Sequence, residues 1–230
     1  MKIYSLKEKK AIELLKAMEK QYHELLTDVV SALMEALKVK DMGTYEHSIR
    51  VAQYAVFLAR ALKLSHEELI TVELGALFHD LGKIGVPDGI LLKPGHLTLH
   101  EFEIMKNHSL KSAQILSKIR AFKEIVPIVK CHQEKLDGTG YPAGLSGQNI
   151  PFLARLTYIV DAFDAMVSER PYRKGIPEEA ALKELKKYAG TQFDSELVKV
   201  FVKAYQTSVR PLEMKSQFIM GVERKKVIGE

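Results

Sequence analysis

The chain has 230 residues, 47% of them hydrophobic, and a formal charge of +5. That apolar content can fill a core and excludes disorder. No apolar run approaches the roughly 18–20 residues of a membrane span, and the charged opening stretch does not fit a signal peptide, so a cytoplasmic protein is expected. Cys131, the only cysteine, excludes an intrachain disulfide and a cysteine-rich zinc site and reads as a small buried filler, while the modest charge favours an anionic ligand without a basic–aromatic stripe for DNA or RNA.

Helical periodicity dominates, so an all-α fold is expected. In the first segment Ala11, Leu15, Met18, Tyr22, Leu25, Val29, Ala32 and Ala36 recur at alternating spacings of four and three, a heptad seam. A second row, Leu26, Val30, Leu33 and Leu37, widens the stripe. The long helix is expected either to join this chain's own bundle or to serve as a dimerising or signalling helix. Asp41-Met42-Gly43 marks a junction, and Tyr45–Lys63 reads as an amphipathic helix. Ser65 to Glu68 is a capping box that opens a helix to about Leu81. A loop rich in breakers covers Pro87–Gly95, and a second capping box at Thr98–Glu101 starts a helix to about Ser117. A further helix ends near Lys135, before the turn-rich Asp137–Pro142 stretch. Pro151 suits the first turn of a helix to about Glu169, and the last helices cover Pro177–Tyr188 and Asp194–Gln206.

Four of the eight histidines, His47, His79, His108 and His132, each sit on a different predicted helix or near its end. Asp80 and Asp161 lie in the apolar runs Leu77-Phe78-His79-Asp80-Leu81 and Ile159-Val160-Asp161-Ala162-Phe163. A carboxylate in a core costs several kcal/mol unless it is paired or coordinated, and helical bundles build metal sites from such inward-facing ligands. Neighbouring helix positions diverge by about 100°, so Asp80 could bridge two ions while His79 binds one. The imidazole and carboxylate set suits Fe or Mn, with Zn, Co and Ni as alternatives. Two ions about 3.5–4 Å apart generate a hydroxide and stabilise a departing phosphate oxygen. Lys83, one turn after Asp80, is placed to hold a phosphate oxygen or, alternatively, to pair with a helix C-terminus.

These residues resemble the HD superfamily of metal-dependent phosphohydrolases, and within it the HD-GYP branch. The matching text is His79-Asp80-Leu81-Gly82-Lys83 and Asp137-Gly138-Thr139-Gly140-Tyr141-Pro142. Leu92-Lys93-Pro94-Gly95 with Leu97-Thr98 agrees too, as does Asp161-Ala162-Phe163-Asp164-Ala165-Met166 leading to Arg170-Pro171-Tyr172-Arg173. The resemblance covers residues 40–205 and implies an HD-type helical bundle with a long N-terminal helix, divided as an N-terminal segment (1–40), a catalytic domain (41–208) and an extension (209–230). It implies a cyclic di-GMP phosphodiesterase with linear pGpG as product, further cleavage to GMP being an alternative, or a phosphodiesterase for mixed cyclic dinucleotides. His47, His79, Asp80, His108, His132 and Asp161 would be metal ligands, and Asp80 and Lys83 catalytic. Lys83, Gly140, Tyr141, Asp164, Arg170 and Arg173 would contact substrate, although the two arginines could instead pair with Asp164 or Glu169. A homodimer and docking to a diguanylate cyclase or sensor domain are further implied partners.

Two departures shape the expectation. Some members carry a Glu four residues before the first histidine ligand, which recruits a third metal; here Gly43 stands there and Glu46 is on the wrong side of the turn, so a binuclear site is expected. The family usually shows His-His-Glu before its GYP loop, where this chain has His132-Gln133-Glu134. Gln133 is a weak ligand at best, and a catalytically weak cyclic-dinucleotide receptor is the alternative function.

Overall fold

A computed structural model describes residues 6–169 and 174–207. Arg170, Arg173 and the stretch 209–230 therefore lie outside the described residues. The helices are α1 (Leu6–Lys40), α2 (Met42–Ala61), α3 (His66–Phe78), α4 (Asp88–Leu91), α5 (Leu99–Lys106), α6 (His108–Leu116), α7 (Val126–Cys131), α8 (Phe152–Val167), α9 (Glu178–Lys187) and α10 (Ser195–Thr207). Among the described residues there is no β-strand, and no helix is long and apolar enough to cross a membrane.

α2 is the central helix, packed on α1, α3, α8 and α10. Its Tyr54 meets Phe163 of α8 edge-on at 5.3 Å, and Phe163 meets Phe201 of α10 at 5.1 Å, all three buried. Such aromatic contacts add about 0.5–1.5 kcal/mol each beyond area burial. The local signals act where the sequence puts them. Asp41, the single residue between α1 and α2, accepts from the Gly43 and Thr44 N–H groups, and both capping boxes form, Ser65 with Glu68 and Thr98 with Glu101. Pro151 is the residue before α8 rather than inside its first turn.

α1 divides along its length. The second apolar row does the packing: Val30 and Leu37 are buried, with Leu26 and Leu33 against the same core. The heptad row remains in solvent towards the N-terminus, where Leu15, Met18, Tyr22 and Leu25 are each 56–60% exposed. The described part of the bundle therefore does not cover them.

Three helices end or break earlier than their periodicity suggests. α3 stops at Phe78 and gives way to a 3-10 turn, Leu81–Gly85. The expected Thr98–Ser117 helix is interrupted at Asn107, whose Nδ2 donates to the Glu103 carbonyl (3.0 Å), and α7 stops at Cys131 rather than near Lys135. A histidine stands at or next to each stop: His79, His132 and, directly after Asn107, His108.

Candidate metal centre

At all three stops the ring does what a backbone N–H would otherwise do. His79 Nδ1 donates to the Ala76 carbonyl (2.7 Å), His108 Nδ1 to Met105 (2.9 Å) and His132 Nδ1 to Val129 (2.9 Å). A carbonyl only accepts, so each Nδ1 carries a proton and each ring turns its Nε2 towards the interior. The fourth ring, His47 on α2, has Nδ1 against Asp164 Oδ2 at 2.7 Å and also turns Nε2 inward. A second partner that fixes orientation and basicity in this way is the usual companion of a metal-binding imidazole.

The four rings and two carboxylates converge. His47 Nε2 lies 3.0 Å from Asp161 Oδ1 and 3.9 Å from Asp80 Oδ2, and His79 Nε2 lies 3.3 Å from Asp80 Oδ2. The other oxygen of Asp80, Oδ1, is 3.2 Å from His108 Nε2, which is 3.2 Å from His132 Nε2. Three overlapping donor groups result: His47, His79 and Asp80; His79, His132 and Asp161; Asp80, His108 and His132. All six side chains are buried.

This donor set fits divalent ions. Two Nε2 lone pairs facing each other at 3.2 Å repel unless a cation lies between, and the spacing is near the ~3 Å of two adjacent ligands each about 2.1 Å from a metal. His79 Nε2 is buried and makes no hydrogen bond, an orphan that coordination would satisfy. The charges agree. Burial opposes an ionised Asp80, but Lys83, His79 and His108 hold it well below the usual carboxylate range; burial likewise opposes an ionised Asp161, which its His47 hydrogen bond and nearby His79 hold low. His132 is pushed down to about 3 by burial and by His79 and His108, and burial also lowers His108. Both are thus deprotonated ligands at neutral pH.

Lys83 Nζ donates to Asp80 Oδ2 at 2.6 Å from the Leu81–Gly85 turn. That turn lies against α6: a Cβ on Gly82 would meet the His108 carbonyl at 2.0 Å. Ser112 fastens it, accepting from the Gly82 N–H (2.7 Å) and donating to the His79 carbonyl (2.9 Å).

The expected substrate contacts are placed unevenly. Tyr141 stands at the rim, its ring 6.2 Å from the His108 ring. Gly140 instead sits against the chain before it, where a Cβ would meet Lys135 N at 2.3 Å and Gln133 O at 2.5 Å, so its missing side chain serves loop packing. Buried Glu134 holds the same loop by accepting from the Ala143 (2.7 Å) and Leu145 (3.0 Å) N–H groups. Asp164, expected to face substrate, stands behind His47, and its Oδ1 accepts from Arg50 Nε at 2.7 Å. Gln133 Nε2 donates to Asp161 Oδ2 at 3.1 Å. Glu46 is exposed and away from the cluster. Arg50, Ser112 and Glu134 were given no role by the sequence, although Arg50 stands one turn beyond His47 and Glu134 follows Gln133 in the family motif.

Comparison with known proteins agrees with this geometry. Residues 31–197 match the HD domain family. The chain is 38% identical over 185 residues to a cyclic di-GMP phosphodiesterase of Thermotoga maritima, and 39% identical over 173 residues to the cyclic di-GMP phosphodiesterase response regulator RpfG of Xanthomonas campestris. It is 39% identical over 176 residues to the 3′3′-cGAMP-specific phosphodiesterase 3 of Vibrio cholerae. These matches cover 80%, 74% and 76% of this chain but only 50%, 46% and 38% of those proteins, so it spans about half their length or less. Among solved structures, a V. cholerae cyclic GMP-AMP-specific phosphodiesterase (V-cGAP3) superposes with a TM-score of 0.61 at 21% identity. That match covers 82% of this chain and 50% of the other, and it shows a shared fold. The chain belongs to the HD-domain family, in its HD-GYP branch.

Proposed function

We propose that this HD-GYP chain hydrolyses cyclic di-GMP to linear pGpG at a binuclear metal site. One observation carries the reading: the two oxygens of Asp80 address two different sets of imidazole nitrogens, Oδ2 towards His47 and His79, Oδ1 towards His108. His47, His79, Asp80 and Asp161 would hold one ion, and Asp80, His108 and His132 the other. When bound, two divalent ions, Fe or Mn by ligand type, supply a water nucleophile active at neutral pH and offset charge on the departing oxygen. Lys83 turns from Asp80 to a phosphate oxygen, and Arg170 and Arg173 clamp phosphate through their forked N–H groups. Tyr141, whose phenol is pushed up by burial and by Asp80 and Asp161, remains a neutral donor at the rim. The names of the relatives support a cyclic dinucleotide as substrate. The test is anaerobic reconstitution with Fe(II) or Mn(II), metal analysis, and separation of products from cyclic di-GMP. Metal-loaded protein that leaves the nucleotide intact would overturn the claim.

The Gln133 contact favours a second reading, a cyclic-dinucleotide receptor with little turnover. Gln133 spends its amide nitrogen on Asp161, and the oxygen it could offer beside His132 is a weaker transition-metal donor than an imidazole. Tight nucleotide binding without hydrolysis, unchanged by added metal, would establish it.

The exposed row on α1 is proposed to pair with the same row of a second copy. Leu15, Met18, Tyr22 and Leu25 keep heptad spacing and carry no charge, and a helix of this length in water needs packing along its apolar stripe. Light scattering of a Leu15→Glu, Met18→Glu variant should report half the native mass; an unchanged mass would refute the pairing.

A further inference from the structure

A hollow of about 300 Å³ opens beside the metal centre, between the last turn of α5 and the Tyr141-Pro142 corner. Glu103, Lys106, Asn107, Leu110, Tyr141 and Pro142 line it, and none of them belongs to the donor cluster. Asn107 leads directly into His108, and the Tyr141 ring that borders the hollow also lies 6.2 Å from the His108 ring. A phosphate at the proposed ion site and an occupant of the hollow would thus both neighbour the Tyr141 ring.

The walls have the character of a base-binding site. Tyr141 and Phe102 meet edge-on at 6.3 Å, and both Phe102 and the lining Leu110 remain exposed. The Lys106 ammonium lies 5.6 Å from the Phe102 ring centre and 5.9 Å from that of Tyr141. Glu103 lies within 2.7 Å of Lys106 and is otherwise open to solvent. Aromatic and aliphatic surface takes the flat face of a nucleobase, and a carboxylate reads its edge. Guanine presents N1–H and a 2-amino group, two donors side by side for an acceptor-only carboxylate; adenine turns an unprotonated N1 towards it.

We propose that this hollow seats one base of the cyclic dinucleotide and that Glu103 makes it prefer guanine. The inference rests on the reading that the phosphodiester is cut at the His79-Asp80 centre, and it adds a specificity-determining residue outside that centre. The test is steady-state kinetics of native protein, Glu103→Gln and Glu103→Ala with cyclic di-GMP, cyclic di-AMP and the base-free diester bis(p-nitrophenyl) phosphate. Losing a two-point contact should raise KM for cyclic di-GMP roughly tenfold in Glu103→Ala, with a smaller rise in Glu103→Gln. KM for cyclic di-AMP should stay level or fall, and kcat and base-free turnover should be unchanged. An unaltered ratio of the two dinucleotide KM values would overturn the proposal, as would an equal rise for both. If native protein cleaves nothing, the hydrolytic reading fails by itself; calorimetric binding of the two dinucleotides to native protein and Glu103→Ala then decides the guanine preference alone.

Discussion

On the His47 side of the donor cluster, two imidazoles face Asp80 Oδ2 and Asp161 Oδ1, and Asp164 and Arg50 brace His47 from behind. On the His108 side, His108 faces Asp80 Oδ1, His132 shares donor groups with Asp80 and with His79 and Asp161, each ring is steadied by a single helix carbonyl, and Gln133 donates its amide N–H to Asp161. Ions on the two sides are therefore expected to bind with unequal strength, since affinity follows donor number and the rigidity of what stands behind the donors. On the proposed two-ion reading, the difference puts the weaker half beside Gln133.

The largest effect should come from the residue the halves share. Asp80→Asn removes the charge facing both sets of nitrogens, so bound metal should fall from two ions towards none and hydrolysis by on the order of a thousandfold; metal analysis beside product assay checks both. Next, Asp164→Asn should weaken binding on the His47 side alone, by about 10–100-fold, read by Mn(II) equilibrium dialysis. Equal weakening of both sites would break the comparison. Gln133→His supplies the missing donor and should tighten the weaker site by roughly tenfold in the same experiment. A smaller effect, away from the metals, serves as control. The Lys93 ammonium and the Thr98 N–H lower Glu101 from 4.5 to about 2. Its contribution to stability is therefore complete above pH 4.5 and lost as the pH falls towards 2. Between pH 5 and pH 3 native protein should lose more thermal stability than Glu101→Gln, with metal binding at neutral pH the same in both.

The sequence made some of this legible for identifiable reasons. Capping residues act over three or four positions, so Ser65 and Thr98 could be read directly; His79, Asp80 and Asp161 stood out from their apolar runs, and His47, His108 and His132 from lying on separate helices. The breaks at Phe78, Asn107 and Cys131 could not, because apolar spacing runs on through them and the replacement bond comes from an imidazole, a group with no helix-stop signature. Ser112 and Asp164 act across elements, Ser112 on the His79–Gly82 stretch and Asp164 on His47, 117 positions away. Only tertiary approach gives them their roles. The α1 rows were both visible; which one the body would claim depended on the surface that α2 and the Leu81–Gly85 turn offer.

That division of α1 has a mechanical side. Roughly 30 Å of helix, at about 1.5 Å per residue, precedes the first residue that packs, Leu26, and the packed end touches both α2 and the turn that carries Lys83. Lys40, its last residue, pairs with Asp88 just beyond that turn. Such a rod is a lever whose short arm rests on the turn that carries Lys83. A twist at the far end has no loop in which to dissipate before it arrives, and hydrogen exchange at residues 81–85 is where it would register.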